Sequence, residues 1–593
     1  MEDSGPPQAA ESSSKIAPRA WGGEPVRSRA RWRWPALVVG LLLAAVAVAS
    51  TSRLIDAAQP AFELPITGRL ALLPFSSVTA DPTDAWVETG LTEMVAETLM
   101  RTAGAAIVPP DRLRKVFESR DLSLHDVEAR ERARSLAFAV GADQVLDVTV
   151  RRRGDRMSMD LELFDASGSL AESELEGNDA LDLAEGLVFA VGRALGDGRE
   201  PRSLRQSFSR SEFLDRLYAT GLHELHTAEA RVARPYFEIA LRHRSGFLQA
   251  QAKLADCVRQ LGDLELAGEL TRTWVREAQA RGERQQEALG LRALALLAAL
   301  ESEHDKAAKL YAQAFALHLD LGDEPARAEV LFELARLALA EGETVRAEEL
   351  YVERLGIQQS LGDRLGEADS LYQIGSLLLS QDDLEGAEQV LTDARELALQ
   401  AGDVWTEMRV VASLGEIAHR AGDFEQAKSL WRRALTFYDQ RDESPRRLLL
   451  SYKLAEALIR GGELDEAEQR LHEIRELASS LEDRPYEAKA AIGLAWLLLR
   501  TGYPYQAKPH LDRALELDRW LENRVMLQLV IAWYAYEQGN YPLALATQLE
   551  VKRRSPDRWA PFDEAFLQTF ERAAAEGQRF PLPGEEGYVA PAG

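Results

Sequence analysis

The sequence predicts a multidomain chain with one apolar span near its amino terminus, a small α/β domain, and a long all-α solenoid of helical hairpins. Three observations lead there. Alanines recur at Ala267, Ala307, Ala347, Ala387, Ala427, Ala467 and Ala507, each 40 residues after the one before. Residues 34–52 carry no charge. Between residues 143 and 165, apolar and polar side chains alternate with the period of a strand.

The amino-terminal residues come first. Residues 1–33 are rich in Pro, Gly, Ser and Ala, show no hydrophobic period and end in "RSRARWR", which predicts a disordered basic tail. "WPALVVGLLLAAVAVAS" then runs from Trp34 to Ser50, and Thr51 and Ser52 extend it to Arg53. That is enough to cross a bilayer as one helix, 34–52. Arg27, Arg29, Arg31 and Arg33 precede the span and only Arg53 follows it, which places the amino terminus in the cytoplasm and the bulk of the chain outside. Two other readings stay open. Ala47-Val48-Ala49 fits a signal-peptide cleavage pattern near Ala49, although the preceding region is long for one. A buried soluble helix is the third, and Trp32 and Trp34 beside arginines suit an interfacial anchor better.

After a linker at 53–68, residues 69–197 read as the α/β domain. "RLALLPF" (69–75) is an apolar run stopped by Pro74, as in a buried strand. A helix is expected from Asp84 to about Arg101, with Trp86, Leu91, Met94, Val95, Leu99 and Met100 as its apolar set. "AAIVPP" (105–110) reads as another strand, Pro110-Asp111 as a helix start, and "EARERARSLAFAVG" as a helix capped by Gly141. "DQVLDVTV" and "RMSMDLELFD" flank "RRRGD" as a hairpin, with Met157, Met159, Leu161 and Leu163 on its buried face. The run "RRRGDR" (151–156) is expected to be a solvated turn. "DALDLAEGLVFAVGRAL" (179–195) closes the domain as an amphipathic helix.

Beyond a linker at 198–210, the alanine period carries a fixed grammar, as in "LGDLELAGEL" and "AGDFEQAKSL". A second set of turn residues, Gly282, Gly322, Gly362 and Gly402, keeps the same interval, and Asp442, Glu482 and Glu522 continue it. Two turns per unit mean two helices per unit. Such a hairpin buries its apolar face only against its neighbours. The solenoid is expected over 211–576 in about nine hairpins, with a flexible tail at 577–593.

Composition narrows the function. A formal net charge of −26 argues against a nucleic-acid partner, because phosphate binding needs concentrated Lys and Arg. The single cysteine, Cys257, excludes an intrachain disulfide and reads as a small buried thiol in "QAKLADCVRQ". Nucleotide-binding, zinc-protease, esterase and kinase motifs are all missing, so the chain reads as non-catalytic and without a cofactor. His223 and His226 sit one helical turn apart and suggest an ion, yet no third ligand lies nearby in sequence, and a solvated face is the plainer reading.

Two stretches resemble known families. "RLALLPFSSVTADPTDAWVETGLTEMVAETLMR" with "VGADQVLDVTVRRRGDRMSMDLELFDASG" is similar to the TolB-like amino-terminal domain of bacterial signalling proteins, most specifically at Leu73-Pro74-Phe75, Gly90-Leu91-Thr92 and Gly141-Ala142. "SLGEIAHRAGDFEQAKSLWRRAL" resembles the tetratricopeptide repeat, with Leu414, Gly415, Gly422, Ala427, Trp431 and Ala434 at its packing positions. That family's unit is about 34 residues, so a 40-residue unit implies longer helices. The resemblance implies a right-handed superhelix of hairpins that binds proteins or peptides. It further implies a bacterial inner-membrane protein with the bulk of its chain in the periplasm. Relatives with an output domain carry it before the span, where this chain has a short tail. That leaves a scaffold, or alternatively a sensory input module whose output lies on another chain.

In the tetratricopeptide family the first helix of each hairpin lines a concave groove, about 18, 15, 11 and 8 residues before the reference alanine. Carried over, those positions pick out Phe332, Arg336, Tyr372, Arg409, Glu416, Tyr452, Glu456, Lys489, Trp496, Trp533 and Tyr536 as a partner-binding groove. Aromatic and arginine side chains are what interface hot spots use. The competing reading is that the aromatics wedge adjacent hairpins together.

Overall fold

The computed structural model describes residues 64–588 apart from 79–81, 104–105, 119–121, 123–126, 155, 196–202, 210, 228, 442, 518–524, 556–560, 584 and 586–587. The span expected at Trp34–Ser52, the tail before it, and Asp442 and Glu522 lie outside the described residues. Among the described residues no helix is long and apolar enough to cross a membrane.

The α/β domain is a twisted sheet in which β1 (Leu70–Leu72) and β2 (Ser76–Val78) pair in succession with β3 (Gln144–Arg153), both parallel. Antiparallel β4 (Arg156–Asp165) and β5 (Gly168–Gly177) complete it. The parallel pairing requires a crossover. A 3₁₀ turn (Pro82–Val87) and helices α1 (Gly90–Ala103), α2 (Pro110–Glu118) and α3 (Val127–Ala139) provide it. Ala71, Leu73 and Val145 pack with Leu113 and Phe117 of α2 and Ala133, Leu136 and Ala137 of α3. α4 (Ala180–Leu195) covers β4 and β5 and meets α1.

Several expectations need correction here. The helix expected from Asp84 is α-helical only from Gly90, because the stretch before it tightens into the 3₁₀ turn. The strand expected at 105–110 shrinks to one bridge between Ile107 and Leu70, since Pro109 and Pro110 have no amide hydrogen to continue a ladder. The run "RRRGDR" is mostly strand and only partly solvated, since Arg151–Arg153 end β3 and Arg156 opens β4. Arg152 reaches back and donates to both oxygens of Asp84, at 2.9 and 3.0 Å.

A short α5 (Leu204–Ser207) leads to the array. Successive helices pair as hairpins: α6 (Glu212–Thr227) with α7 (Ala230–His243), α8 (Leu248–Gln260) with α9 (Leu264–Arg281), and α10 (Arg284–Leu300) with α11 (His304–Leu321). α12 (Glu324–Ala340) then pairs with α13 (Thr344–Ser360), α14 (Arg364–Ser380) with α15 (Leu384–Gln400), and α16 (Val404–Arg420) with α17 (Phe424–Asp439). α18 (Ser444–Gly461) with α19 (Leu464–Ser480), α20 (Arg484–Arg500) with α21 (Pro504–Glu516), and α22 (Val525–Glu537) with α23 (Tyr541–Arg554) follow, and α24 (Pro561–Glu576) covers the end.

The seven periodic alanines are all at 0% exposure near the start of the second helix of each hairpin, which explains their spacing: each unit buries one small side chain at the same place. Aspartates fix where helices start. Asp263, Asp323, Asp363, Asp403 and Asp483 each accept an amide hydrogen from the first turn of the helix that follows. Turns end the helices in the left-handed region, where Gly402 sits at φ 67°. Glu482 occupies the corresponding turn at φ 57°. A Cβ is disfavoured there, so Glu482→Gly is expected to raise stability by about 0.5–1 kcal/mol. A urea midpoint that rises with an unchanged slope is the supporting result, and an unchanged or lower midpoint contradicts it.

The carboxyl-terminal tail is tied down as far as Glu585, which corrects the expectation of a flexible segment from 577. Tyr536 donates to the Phe580 carbonyl at 2.6 Å and accepts from its amide at 2.7 Å, and Leu582 is fully buried.

Candidate protein-binding groove

The first helices of the hairpins line one face of the array. First helices of successive hairpins touch one another, as α14 does α16, α18 does α20, and α20 does α22. Their facing sides form the floor of that face.

The α/β domain lies on the first part of that floor. At one end α1 packs against α6, where a Cβ on Gly90 would stand 2.0 Å from the Ala219 carbonyl oxygen, so only glycine permits the approach. Glu93 of α1 faces His226 Nε2 at 2.5 Å, Lys253 Nζ at 3.3 Å and Arg114 at 3.7 Å. Burial works to raise the Glu93 pKa, but Lys253, His226 and Arg114 outweigh it and hold the carboxyl well below the usual range. Further along, Arg112 of α2 pairs with Asp363 and stands 3.7 Å from Glu329, while Lys115 stands 3.9 Å from Glu329. Burial disfavours the Arg112 charge, yet Asp363, Glu329 and Asp369 more than offset it and raise the guanidinium pKa. Arg69 donates to the Leu361 carbonyl at 3.0 Å, and Leu365 and Ala401 join the apolar cluster of α3.

His223 and His226, expected on a solvated face, belong to this contact. His223 Nδ1 lies 2.9 Å from Thr89 Oγ1. Among the described residues no group of three or more His, Cys, Asp and Glu side chains is placed to hold a metal ion. Cys257 is buried, and burial lifts its thiol to about 12, so it packs and does not react.

The groove residues picked from the sequence fall into three settings. Phe332, Tyr372 and Arg409 are half-buried and held by neighbours: Arg354 lies 4.9 Å over the Phe332 ring, Arg409 lies 3.9 Å over Tyr372, and Arg409 donates to Asp369 at 2.8 Å. Arg336 is exposed and pairs with Glu333 at 3.0 Å. A second group lies further along. Tyr452 and Tyr486 meet edge to face at 6.4 Å, and Lys489 stands 5.7 and 4.6 Å from their ring centres. Glu416 takes hydrogen bonds from Lys453 and from Arg420. Burial raises the carboxyl pKa of Glu456, beside Tyr452. Trp496 is half-buried, edge-on to Trp533 at 5.9 Å.

Trp533 and Tyr536 are packing residues, which corrects their assignment to the groove. Trp533 packs on Phe566 of α24 at 5.3 Å, and Tyr536 stacks on Phe570 at 4.8 Å with no exposed surface. The array needs an apolar lid at its end, and these two rings lie under it.

Sequence reasoning missed Glu329, Asp363 and Asp369. A signal was present: 329 and 369 share the register of the chosen Arg409 and Lys489.

Models of the tetratricopeptide repeat match residues 218–282, 408–433, 446–519 and 492–558, so the helical array carries tetratricopeptide repeats. No curated protein matches the chain. Similar solved structures include a signal transduction ATPase with numerous domains and a tetratricopeptide repeat sensor, from Pyrococcus horikoshii, at 17% identity and TM-score 0.45 over 55% of this chain and 53% of that one. This chain thus spans about half the length of that protein. Apo RapI is similar at 15% identity and TM-score 0.45, over 62% of this chain and 98% of that one. Aspartyl phosphate phosphatase F from Bacillus subtilis is similar at 14% identity and TM-score 0.40, over 55% and 89%.

Proposed function

From an array of tetratricopeptide repeats whose first-helix face is partly covered by its own α/β domain, we propose that this chain is a non-catalytic scaffold that takes a protein or peptide partner in the uncovered stretch. The observation that carries this reading is the cluster of Tyr452, Tyr486 and Lys489 on α18 and α20. The domain's contacts described above reach Leu365 and Ala401, and these two helices lie beyond them. Flat rings offer contact area at little entropic cost, and a cation beside them fixes the orientation of an acidic or carbonyl group.

Lys489→Glu is expected to weaken partner capture by about tenfold or more, while the melting temperature stays within a few degrees. Capture retained at full strength by the folded variant would remove Lys489 from the site.

The membrane anchor is part of the same proposal. Trp34–Ser52 would hold the chain in a bacterial inner membrane, with a TolB-like domain and the repeats in the periplasm; the uncharged run and the arginines before it support this. Retention in the membrane pellet after an alkaline wash supports the anchor. Release of a chain starting near Ser50 would instead mean signal-peptide cleavage. The second reading, an input module for an output on another chain, is favoured by the clasp between the α/β domain and the groove. A transducer would lose its response when residues 1–30 are deleted, whereas a scaffold would keep its partner.

A further inference from the structure

The stretch of groove under the α/β domain has its own chemistry. The floor changes sign along one register: Glu329 and Asp369 are acidic, whereas Arg409 and Lys489, at the same position in later units, are basic. Asp363 stands beside the acidic pair. It accepts the Gly366 amide at 2.9 Å, capping α14, and also receives Arg112. The helix placed against these acids is α2, whose two sides differ. Leu113 and Phe117 sit in the core of the α/β domain, while Arg112 and Lys115 face the repeats.

The two ends of this contact are built differently. At Gly90 and Ala219 the backbones pack with no room for a Cβ, and buried Glu93 is held beside them by His226 and Lys253. At the far end the ties are the ion pairs of Arg112 and Lys115, the Arg69 hydrogen bond, and an apolar patch at Leu365 and Ala401. Between domain and floor lies a cavity of about 800 Å³, bordered by Lys253, Arg292, Trp274 and Glu329. A mixed polar and apolar contact with a cavity behind it resembles the interdomain surfaces that permit relative motion.

We propose that the carboxylates of Glu329 on α12 and Asp363 before α14 are a receptor for a basic amphipathic helix, Asp369 being taken up by Arg354 and Arg409, and that α2 is its built-in occupant. An outside helix carrying two cations one turn apart competes with α2 for Glu329 and Asp363, and the far end of the α/β domain is displaced when it wins. Partners in the Tyr452 stretch and partners in the acidic stretch are then read by opposite charge. The claim leans on the scaffold reading only in supposing an outside partner.

The test uses the full chain and a fluorescein-labelled peptide with the sequence of residues 106–118 as the probe, at about 50 mM salt, where exposed pairs are weakly screened. Anisotropy is compared between the native chain and Arg112→Glu/Lys115→Glu, each shown to be folded by helical circular dichroism. The double variant is expected to bind the peptide about tenfold or more tightly than the native chain, because its own helix no longer competes. Adding Glu329→Lys and Asp363→Lys is expected to abolish that binding. Arg112→Gln alone serves if the double variant does not fold, with a smaller gain in the same direction. Equal binding by native and opened chains, or binding by neither, overturns the proposal. Neither result bears on capture at Lys489, so failure here leaves the scaffold reading standing, and the reverse holds too.

Discussion

Trp431→Ala is expected to lower the unfolding free energy of the array by about 3–5 kcal/mol. Trp431 lies on α17 at 1% exposure, and its indole donates to the Ala412 carbonyl at 3.0 Å. Gly415 is glycine for its sake, since a Cβ there would stand 2.5 Å from the indole nitrogen. Truncation therefore leaves a cavity that α16 cannot fill, and removes the second hydrogen bond to a carbonyl that keeps its helical partner. Each hairpin buries its face only on its neighbours, so the loss weakens both interfaces of the unit. Urea unfolding followed by helical circular dichroism reads it, and a cost below about 1 kcal/mol would mean that the ring is not the wedge between α16 and α17.

Asp369→Ala is the second large effect, again about 3–5 kcal/mol, but for an electrostatic reason. Asp369 accepts from Arg354 at 2.9 Å and from Arg409 at 2.8 Å, and Arg354 is nearly sealed at 6% side-chain exposure. Removing the carboxylate leaves a buried guanidinium with only the Ser370 hydroxyl at 2.9 Å among the hydrogen bonds described. The double change Asp369→Ala with Arg354→Leu is expected to recover part of the loss, because the penalty belongs to the uncompensated charge and not to the lost pair. Acid should reveal the same group. Burial works to raise the carboxyl pKa of Asp369, but Arg354 and Arg409 outweigh it and hold it at about 2, against an ordinary value of 3.8. A depressed pKa contributes stability that is complete above the unfolded value and is lost as pH falls through the folded one. Asp369→Asn should thus flatten the stability profile between about pH 4 and pH 2. An unaltered slope there would contradict the pairing.

What was legible in the sequence follows from how local each cause is. The helical hairpins announce themselves because one small, fully buried position repeats with the chain, at Ala267 through Ala507. The β3–β4 hairpin was legible because Met157, Met159, Leu161 and Leu163 line one buried face. β5 was not. Its residues from Gly168 to Gly177 form an edge strand with no fully buried position, so burial imposes no apolar alternation on "GSLAESELEG". The groove was half legible. Register along the repeats located Tyr452 and Lys489, but Trp533 and Tyr536 look like groove aromatics until α24 is seen lying over them. The contact of the α/β domain with the floor could not be read at all. Arg112 and Asp363 are 251 residues apart, and single charged residues carry no periodic signal. His226 was misread for the same reason, since its partner Glu93 belongs to another element far upstream.

If the floor formed by α18 and α20 holds the partner, site-specific photocrosslinking in intact cells traps the partner there. A photoreactive residue is placed in turn at Tyr452 and Lys489 on first helices, and at Val352 and Tyr505 on second helices, where the side chains are 52% and 81% exposed. One defined adduct is expected from positions 452 and 489 that is absent from 352 and 505, and that is lost when Lys489→Glu is combined with the probe at 452. Adducts from 352 or 505 with none from 452 and 489, or equal adducts from all four, would contradict that placement of the partner.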